Sequence, residues 1–511
     1  VRAAVVGLVA AAALEAVARL VGGLLGAPSP VVAVGDAVVR LSPPALTSLA
    51  IRLFGTYDKT VLLGVIVLAV TALAAAAGVV ARTRPAAGAA IAAVLVAVGA
   101  AAALTGPVAR PADALPVLAG AAVAFPLLVV GTRRLAPPRA VGASDTGPGT
   151  GSAAPARPLS RRAFLLAAGT AAASVAAVAV AGRALARRAR DAVASRAGLR
   201  LPTAPDPAPP QPAGAGVSPL TPFRTPNADF YRIDTALSVP QLPAEDWSLR
   251  VHGLVERELR LGWSDLTSRR ALERWITLVC VSNEVGGELA GNAVWRGISL
   301  ADLLAEAGPD PDADMVLSTS VDGYTASTPL ETLLESPDAL LAYGMNGEPL
   351  PLEHGFPVRM VVPGLYGYVS ATKWVVDLEV TRFADATAFW TPRGYSERAP
   401  VKVASRIDVP RSFEEVAAGR VAVAGVAWSP GPGIEAVEVR VDGGDWQPAT
   451  LAEVPAPTTW RQWSWAWDAT PGSHTLEVRA TDSEGTTQTG ERAPIKPDGA
   501  TGWHSVVVRV A

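Results

Sequence analysis

A single cysteine in 511 residues excludes an internal disulfide framework, so cysteine pairing carries no information about the compartment. Histidine and methionine are also scarce. His252, His354, His474, His504, Met315, Met345 and Met360 all lie beyond the apolar N-terminal region. Axial haem ligation by His or Met is therefore excluded within that region, and no haem is expected in this chain. Charge of one sign is lacking too: 44 Lys and Arg against 46 Asp and Glu leave a formal net charge of −2, which gives no argument for nucleic acid. At this length the chain holds more than one domain, because single cores stop growing near ~250–300 residues.

What is abundant is Ala, Val and Leu, concentrated before residue 184. Arg2–Leu25 reads as a first span, interrupted by Glu15 and Arg19, four residues apart on one helix face. That pair is read either as functional or as mutual neutralisation against neighbouring helices. Residues 27–60, with Pro28, Pro30, Pro43, Pro44 and several charges, read as an external loop with short interfacial pieces. Clear spans follow at Thr60–Ala81, Pro85–Leu104 and Ala114–Gly131, each near the ~20 residues that a bilayer needs. Arg82, Arg84, Arg133, Arg134 and Arg139 place the intervening loop and the exit of the fourth span on the cytoplasmic side.

Residues 1–136 are thus read as four transmembrane helices and 137–159 as a flexible cytoplasmic linker. Ser160-Arg161-Arg162-Ala163-Phe164-Leu165-Leu166 opens a weakly apolar stretch that resembles a twin-arginine signal, read as a fifth transmembrane helix over 160–184. An ordinary fifth span is the alternative. Either way, residues 185–511 are carried to the extracytoplasmic face of the cell membrane. The basic exit, Arg183 to Arg196, means that the parity of the spans sets this side, not charge alone. Residues 185–220 end in a Pro-rich tract read as a stiff spacer.

Residues 221–400 mix short strands with helical segments such as Ser299–Ala307 and Leu330–Ser336, an α+β pattern. Residues 401–511 alternate as strands: Val421 and Val423; Val437, Val439 and Val441; Trp463, Trp465 and Trp467; Leu476, Val478 and Ala480; Val506, Val508 and Val510. Turn signals at Asp442–Asp445 and Asp482–Gly485 complete the pattern of a β-sandwich, with the Trp set in its core.

The lone Cys280 ends the apolar run Thr277–Val281 and precedes Ser282-Asn283-Glu284-Val285-Gly286-Gly287. A thiol at such a strand end is a buried inert group, a nucleophile or one soft metal ligand. Polar clusters stand beside it in the same domain: Thr225–Asp234, Ser320–Ser327, and Glu353–Arg359 with Val361–Trp374. The last gathers an imidazole, a guanidinium, an ammonium, a hydroxyl and glycine backbone, a set suited to an anionic, phosphate-bearing ligand.

Together, in this order, the clusters resemble the sulfite-oxidase-type molybdopterin oxidoreductases over residues 221–511. The resemblance implies a multi-domain chain: a five-helix transmembrane region, an α+β molybdopterin domain and a C-terminal Ig-like sandwich of the dimerisation type, carried by Ala424–Ser429 and Gly502-Trp503-His504. It implies a molybdenum–molybdopterin cofactor, with Cys280 as the protein thiolate on the metal. Asn227, Phe230, Tyr231, Arg232, Asn283, His354, Arg359, Ser370 and Lys373 would hold the pterin and its phosphate. Tyr324 and Arg232 would border the substrate oxygen as catalytic residues. The implied partners are a small-molecule substrate, an electron donor or acceptor, the lipid bilayer and a second copy through the C-terminal domain.

The sequence departs from the animal enzymes in carrying no haem-binding domain, and in Glu284 and Val285, where an anion pocket would have arginines. A carboxylate there is expected to disfavour sulfite. The bacterial extracytoplasmic members are the better likeness. Two other classes compete. A cell-wall transpeptidase would need a Ser/Thr-His-Gly-Cys run that is absent, and a non-enzymatic anchored binding protein on a degenerate cofactor fold leaves the polar clusters without a role.

Overall fold

The computed structural model describes residues 1–135, apart from 26, 28, 44, 45, 47, 48, 51, 52, 55, 56, 107 and 108, and residues 192–511; between them only 169, 173, 176–178 and 180 are described. The linker over 137–159, the paired Arg161 and Arg162, and most of the fifth helix over 160–184 lie outside the described residues. The chain divides into a unit of Val1–Asp191 with Ala236–Ser238, and a unit of Ala192–Thr235 with Val239–Ala511.

The first unit is helical. Its helices are α1 (Arg2–Leu25), α2 (Pro30–Leu41), α3 (Asp58–Ala81), α4 (Pro85–Leu104) and α5 (Leu115–Arg133). Among the described residues, Arg2–Leu25, Asp58–Ala81, Pro85–Leu104 and Pro111–Arg133 are long and apolar enough to cross a membrane. Backbones approach closely where glycines allow it: a Cβ at Gly7 of α1 or at Gly78 of α3 would collide with the facing helix. Glu15 and Arg19 pair at 2.7 Å within α1. The stretch read as an interfacial loop contains α2, a helix of 12 residues. Its prolines explain the difference, since Pro30 at the first helical position starts a helix instead of breaking one, with the Ser29 hydroxyl accepting from the Val32 amide. It is too short to span.

The second unit begins with a sheet in the order β2-β1-β10-β5-β6, made of β1 (Ser248–Gly253), β2 (Leu259–Gly262), β5 (Met315–Ser320), β6 (Thr325–Pro329) and β10 (Val375–Thr381). A second sheet runs β3-β4-β7-β8, with β3 (Leu272–Val279), β4 (Ala290–Ser299), β7 (Leu340–Met345) and β8 (Glu348–Pro349), and β9 (Arg359–Val361) pairs with β7. Helix α6 (Leu300–Ala307) fills the core between elements: Ser299 caps it by accepting from the Asp302 amide, Gly308 closes it at φ +68°, and Leu300, Leu303, Leu304 and Ala307 are buried.

The C-terminal residues form a sandwich. One sheet is β11-β13-β17-β16, with β11 (Ala404–Val409), β13 (Gly419–Trp428), β16 (Thr450–Leu451) and β17 (Arg461–Ala469). The other is β12-β19-β18-β14-β15, with β12 (Glu415–Val416), β14 (Ile434–Val441), β15 (Gln447–Pro448), β18 (Gly472–Asp482) and β19 (His504–Val510). The alternating apolar residues meet inside it: Trp463, Trp467, Val437, Val439, Leu476, Val478, Val506 and Val508 belong to one core, and Trp465 packs against it. Val426, Trp428 and Trp460 of this sandwich are instead part of the core of the α+β sheets. The two sequence domains therefore share buried apolar surface.

The Pro-rich tract read as a spacer is laid against the α+β sheets. Asp206 O accepts from the Glu273 amide, Pro209 O from Trp275 Nε1 at 2.8 Å and Pro202 O from Arg296 Nη1 at 2.9 Å. A proline-rich chain lacks donors but keeps its carbonyls, and the donors come from the Glu273 amide and the Trp275 ring of β3 and the Arg296 guanidinium of β4.

Candidate cofactor site

Strand β3 is buried along its second half, with Trp275, Ile276, Thr277, Leu278 and Val279 all covered. It delivers Cys280 to the wall of a cleft. Cys280 itself is 8% exposed. The chain then turns back: the Cys280 amide donates to Leu289 O at 2.9 Å and the Asn283 amide to Cys280 O at 3.0 Å. Asn283 Oδ1 accepts from the Leu289 amide at 2.8 Å, so this side chain closes the turn. Burial pushes the Cys280 thiol up, while hydrogen bonds from the Ser282 amide and hydroxyl and the charge of Lys373 favour the thiolate.

Of the residues singled out in the sequence, Phe230, Tyr231, Cys280, Tyr324, His354, Arg359 and Lys373 line this cleft. They arrive from separate loops and strand ends. Arg359, at the start of β9, is buried, donates to His354 O at 3.1 Å and Ala371 O at 3.2 Å, and lies 5.0 Å from the Trp295 ring. Burial lowers its pKa to about 10. His354 Nε2 donates to Asn227 O at 3.0 Å; burial and then the neighbouring Arg359 lower it to about 4, so the imidazole is neutral near pH 7. Lys373 Nζ meets Asp234 Oδ2 at 2.8 Å and Glu353 O at 3.0 Å. Burial lowers Lys373 to about 8 against the pull of Asp234.

Tyr231 stacks on Phe230 with ring centroids 5.2 Å apart, and burial pushes its phenol far up. Tyr324 donates to the backbone oxygen of Tyr368 at 2.6 Å. Its phenol is pushed far up by burial and by the charge of Asp322, so it stays protonated and keeps its donor proton.

Asn227, Arg232, Asn283 and Ser370 lie outside the lining. Asn227 Oδ1 accepts from Asn346 Nδ2 and its Nδ2 donates to Glu348; Arg232 is 45% exposed and pairs with Asp234 at 3.0 Å; Ser370 donates to Leu365 O and Tyr366 O. Glu284, the carboxylate expected to disfavour sulfite, is exposed and also lies outside the lining.

Sequence reasoning missed the lining residues Asp234, Asp322, Tyr368, Trp374 and Trp390. Four of them stand inside the quoted clusters, where Asp234 beside Arg232 is a readable sign; Trp390 belongs to no cluster.

The donor set fits a pterin-bound metal. Among the described residues no group of three or more His, Cys, Asp and Glu is gathered for a metal, so Cys280 is a single soft donor that suits a metal arriving with its other sulfur ligands attached. In the cleft, Arg359 and Lys373 offer buried positive charge for a phosphate.

Residues 236–390 match the family model described as the oxidoreductase molybdopterin binding domain. The chain is 32% identical over 341 residues to mitochondrial sulfite oxidase of Homo sapiens, covering 57% of this chain and 62% of that one. It thus spans less than two thirds of the human relative. It is 32% identical over 338 residues to sulfite oxidase of Gallus gallus, covering 55% of this chain and 72% of the relative. In fold it is similar to the crystal structure of the sulfane dehydrogenase SoxCD from Paracoccus pantotrophus, with a TM-score of 0.50 and 24% identity over 57% of this chain and 82% of that one.

Proposed function

Because the chain belongs to the sulfite-oxidase-type molybdopterin oxidoreductases, we propose that it is a membrane-anchored enzyme that moves an oxygen atom between water and a small sulfite- or sulfoxide-like substrate. The observation that carries this reading is the meeting, in one cleft, of the only thiol of the chain with Arg359 and Lys373, both buried.

When bound, the cofactor supplies two-electron chemistry at molybdenum. In this reading Cys280 ligates the metal through its thiolate. Arg359 and Lys373 take the phosphate. His354, neutral and held by Asn227, and the stacked Phe230 and Tyr231 flank the pterin. Asn227, Arg232, Asn283 and Ser370, whose side chains are bonded within the protein around the cleft, complete the surroundings of the cofactor. Tyr324 keeps its proton and, by turning it from Tyr368 O, would offer a hydrogen bond to the substrate oxygen, with Arg232 as the second catalytic residue of this reading.

The four apolar helices support membrane anchoring. The twin-arginine-like Arg161-Arg162 and the parity of the spans support an extracytoplasmic catalytic unit, since a pterin cofactor is inserted in the cytoplasm and the loaded enzyme then crosses folded. The sandwich is Ig-like in this reading and serves a homodimer, and an electron donor or acceptor docks on the catalytic unit.

Metal and pterin analysis tests the proposal on protein purified from the membranes of a host that makes molybdopterin. About one molybdenum per chain is expected. Absence of both molybdenum and the fluorescent pterin product would overturn it in favour of a binding protein on a degenerate cofactor fold.

A further inference from the structure

Beyond Glu273, which meets the Pro-rich tract, the edge of β3 that faces away from β4 is covered by the sandwich at Trp275 and Thr277. The Thr277 amide donates to Thr458 O at 3.0 Å, Thr458 Oγ1 donates to Trp275 O at 2.6 Å, and the Trp460 amide donates to Thr277 Oγ1 at 2.7 Å. These bonds end three residues before Cys280. A second set grips the chain just after it. Arg406 Nη1 of β11 donates to Gly287 O at 2.6 Å, while its Nε pairs with Asp408 at 2.6 Å and its Nη2 donates to Thr221 Oγ1 at 3.1 Å. The guanidinium is thereby fixed on three sides and buried.

Beside it, the His504 ring packs on Gly286, which has φ +79° and no room for a Cβ, because one would collide with that ring. His504 Nδ1 accepts from the Ile407 amide at 3.0 Å, which ties the ring to the residue next to Arg406. The strand before Cys280 and the turn after it are both bonded to the sandwich, and neither set of bonds involves a residue lining the cleft.

We propose that the sandwich sets the position of the Cys280 sulfur, with Arg406 as the positioning residue that holds the Asn283–Leu289 turn. A fixed donor matters here because the protein supplies a single ligand, and an error in its position is not averaged over others. The assignment of this sulfur as a ligand rests on the proposed function; the positioning does not.

Cys280 is the only thiol, so maleimide labelling of the full-length, cofactor-free chain reports on this residue alone. Arg406→Met is expected to speed labelling at least tenfold, Arg406→Lys to restore part of the protection, and Thr458→Val to speed labelling severalfold. Arg420→Met, on the exposed part of β13, serves as a control and labels at the wild-type rate. In the loaded protein, Arg406→Met is expected to shift the thiolate-to-metal absorption band at unchanged molybdenum content, and Arg406→Lys to move it back. Wild-type labelling rates in both Arg406→Met and Thr458→Val, with wild-type melting curves, would overturn the proposal; if Arg406→Met does not fold, Thr458→Val decides it. Wild-type protein without molybdenum would sink the proposed function and leave the labelling result standing.

Discussion

Lys373 Nζ lies 2.8 Å from Asp234 Oδ2, and the side chains are only 9% and 5% exposed. The pair carries one charge of each sign into the cleft wall, while Arg359 beside it is bonded to backbone carbonyls. Removing Asp234 leaves Lys373 buried without its counter-charge, whereas Asp234 also has Arg232 at 3.0 Å.

Asp234→Leu, which strands the buried Lys373, is therefore expected to destabilise the second unit by about 3–5 kcal/mol. Urea unfolding measures the loss. The double variant Lys373→Met, Asp234→Leu should recover a large part of it, and a loss no larger than that of an exposed ion pair would contradict the account.

Acid should weaken the fold through two histidines. His354 and His504 are both lowered to about 4 by burial, from an ordinary value of 6.5. A folded value below the unfolded one means that the unfolded chain binds more protons between them. The stability from each is present above pH 6.5 and is lost as pH falls through about 4, on the order of 3 kcal/mol per group. Melting temperature against pH checks this, and His504→Gln should flatten the curve between pH 6.5 and 4.

Tyr324→Phe removes the phenolic donor but keeps the ring that packs 5.8 Å from Phe389. Steady-state kinetics should show kcat reduced about 100-fold, with near-wild-type melting. An unchanged kcat would move the proton or hydrogen-bond donor elsewhere.

Cys280→Ala deletes the one soft donor. Bound molybdenum should fall by more than the roughly 10–100-fold that loss of an outer-shell partner costs, and activity with it. Retained metal and activity would refute the ligand assignment.

Much of this site could be read from the chain. Cys280 at a strand end, and the clusters around Tyr231, Tyr324 and Lys373, are local patterns of apolar runs, Gly turns and polar residues, and the cleft brings them together. The alternating strands of the sandwich were equally legible, because a two-residue period survives in the sequence. The rest was not. Arg406 reaches Gly287 across 119 residues, and nothing near either position announces the bond. The contacts of the Pro-rich tract are equally hidden, because composition records stiffness but not which strands the chain lies along. Asn283 and Ser370 carry side chains that could serve a cofactor; the fold bonds them to its own backbone, a choice that only tertiary geometry displays.

The cover over the β3 edge also has a consequence in time. Trp460 follows Thr277 by 183 residues. At ~5–20 residues per second the ribosome leaves the Trp275–Thr277 part of that edge without this cover for roughly 10–40 s. During this interval an apolar strand with free amides and carbonyls is exposed to any neighbouring nascent chain. Chains terminated before residue 458 should therefore collect in inclusion bodies, and the yield of soluble enzyme should depend on holdase capacity during translation.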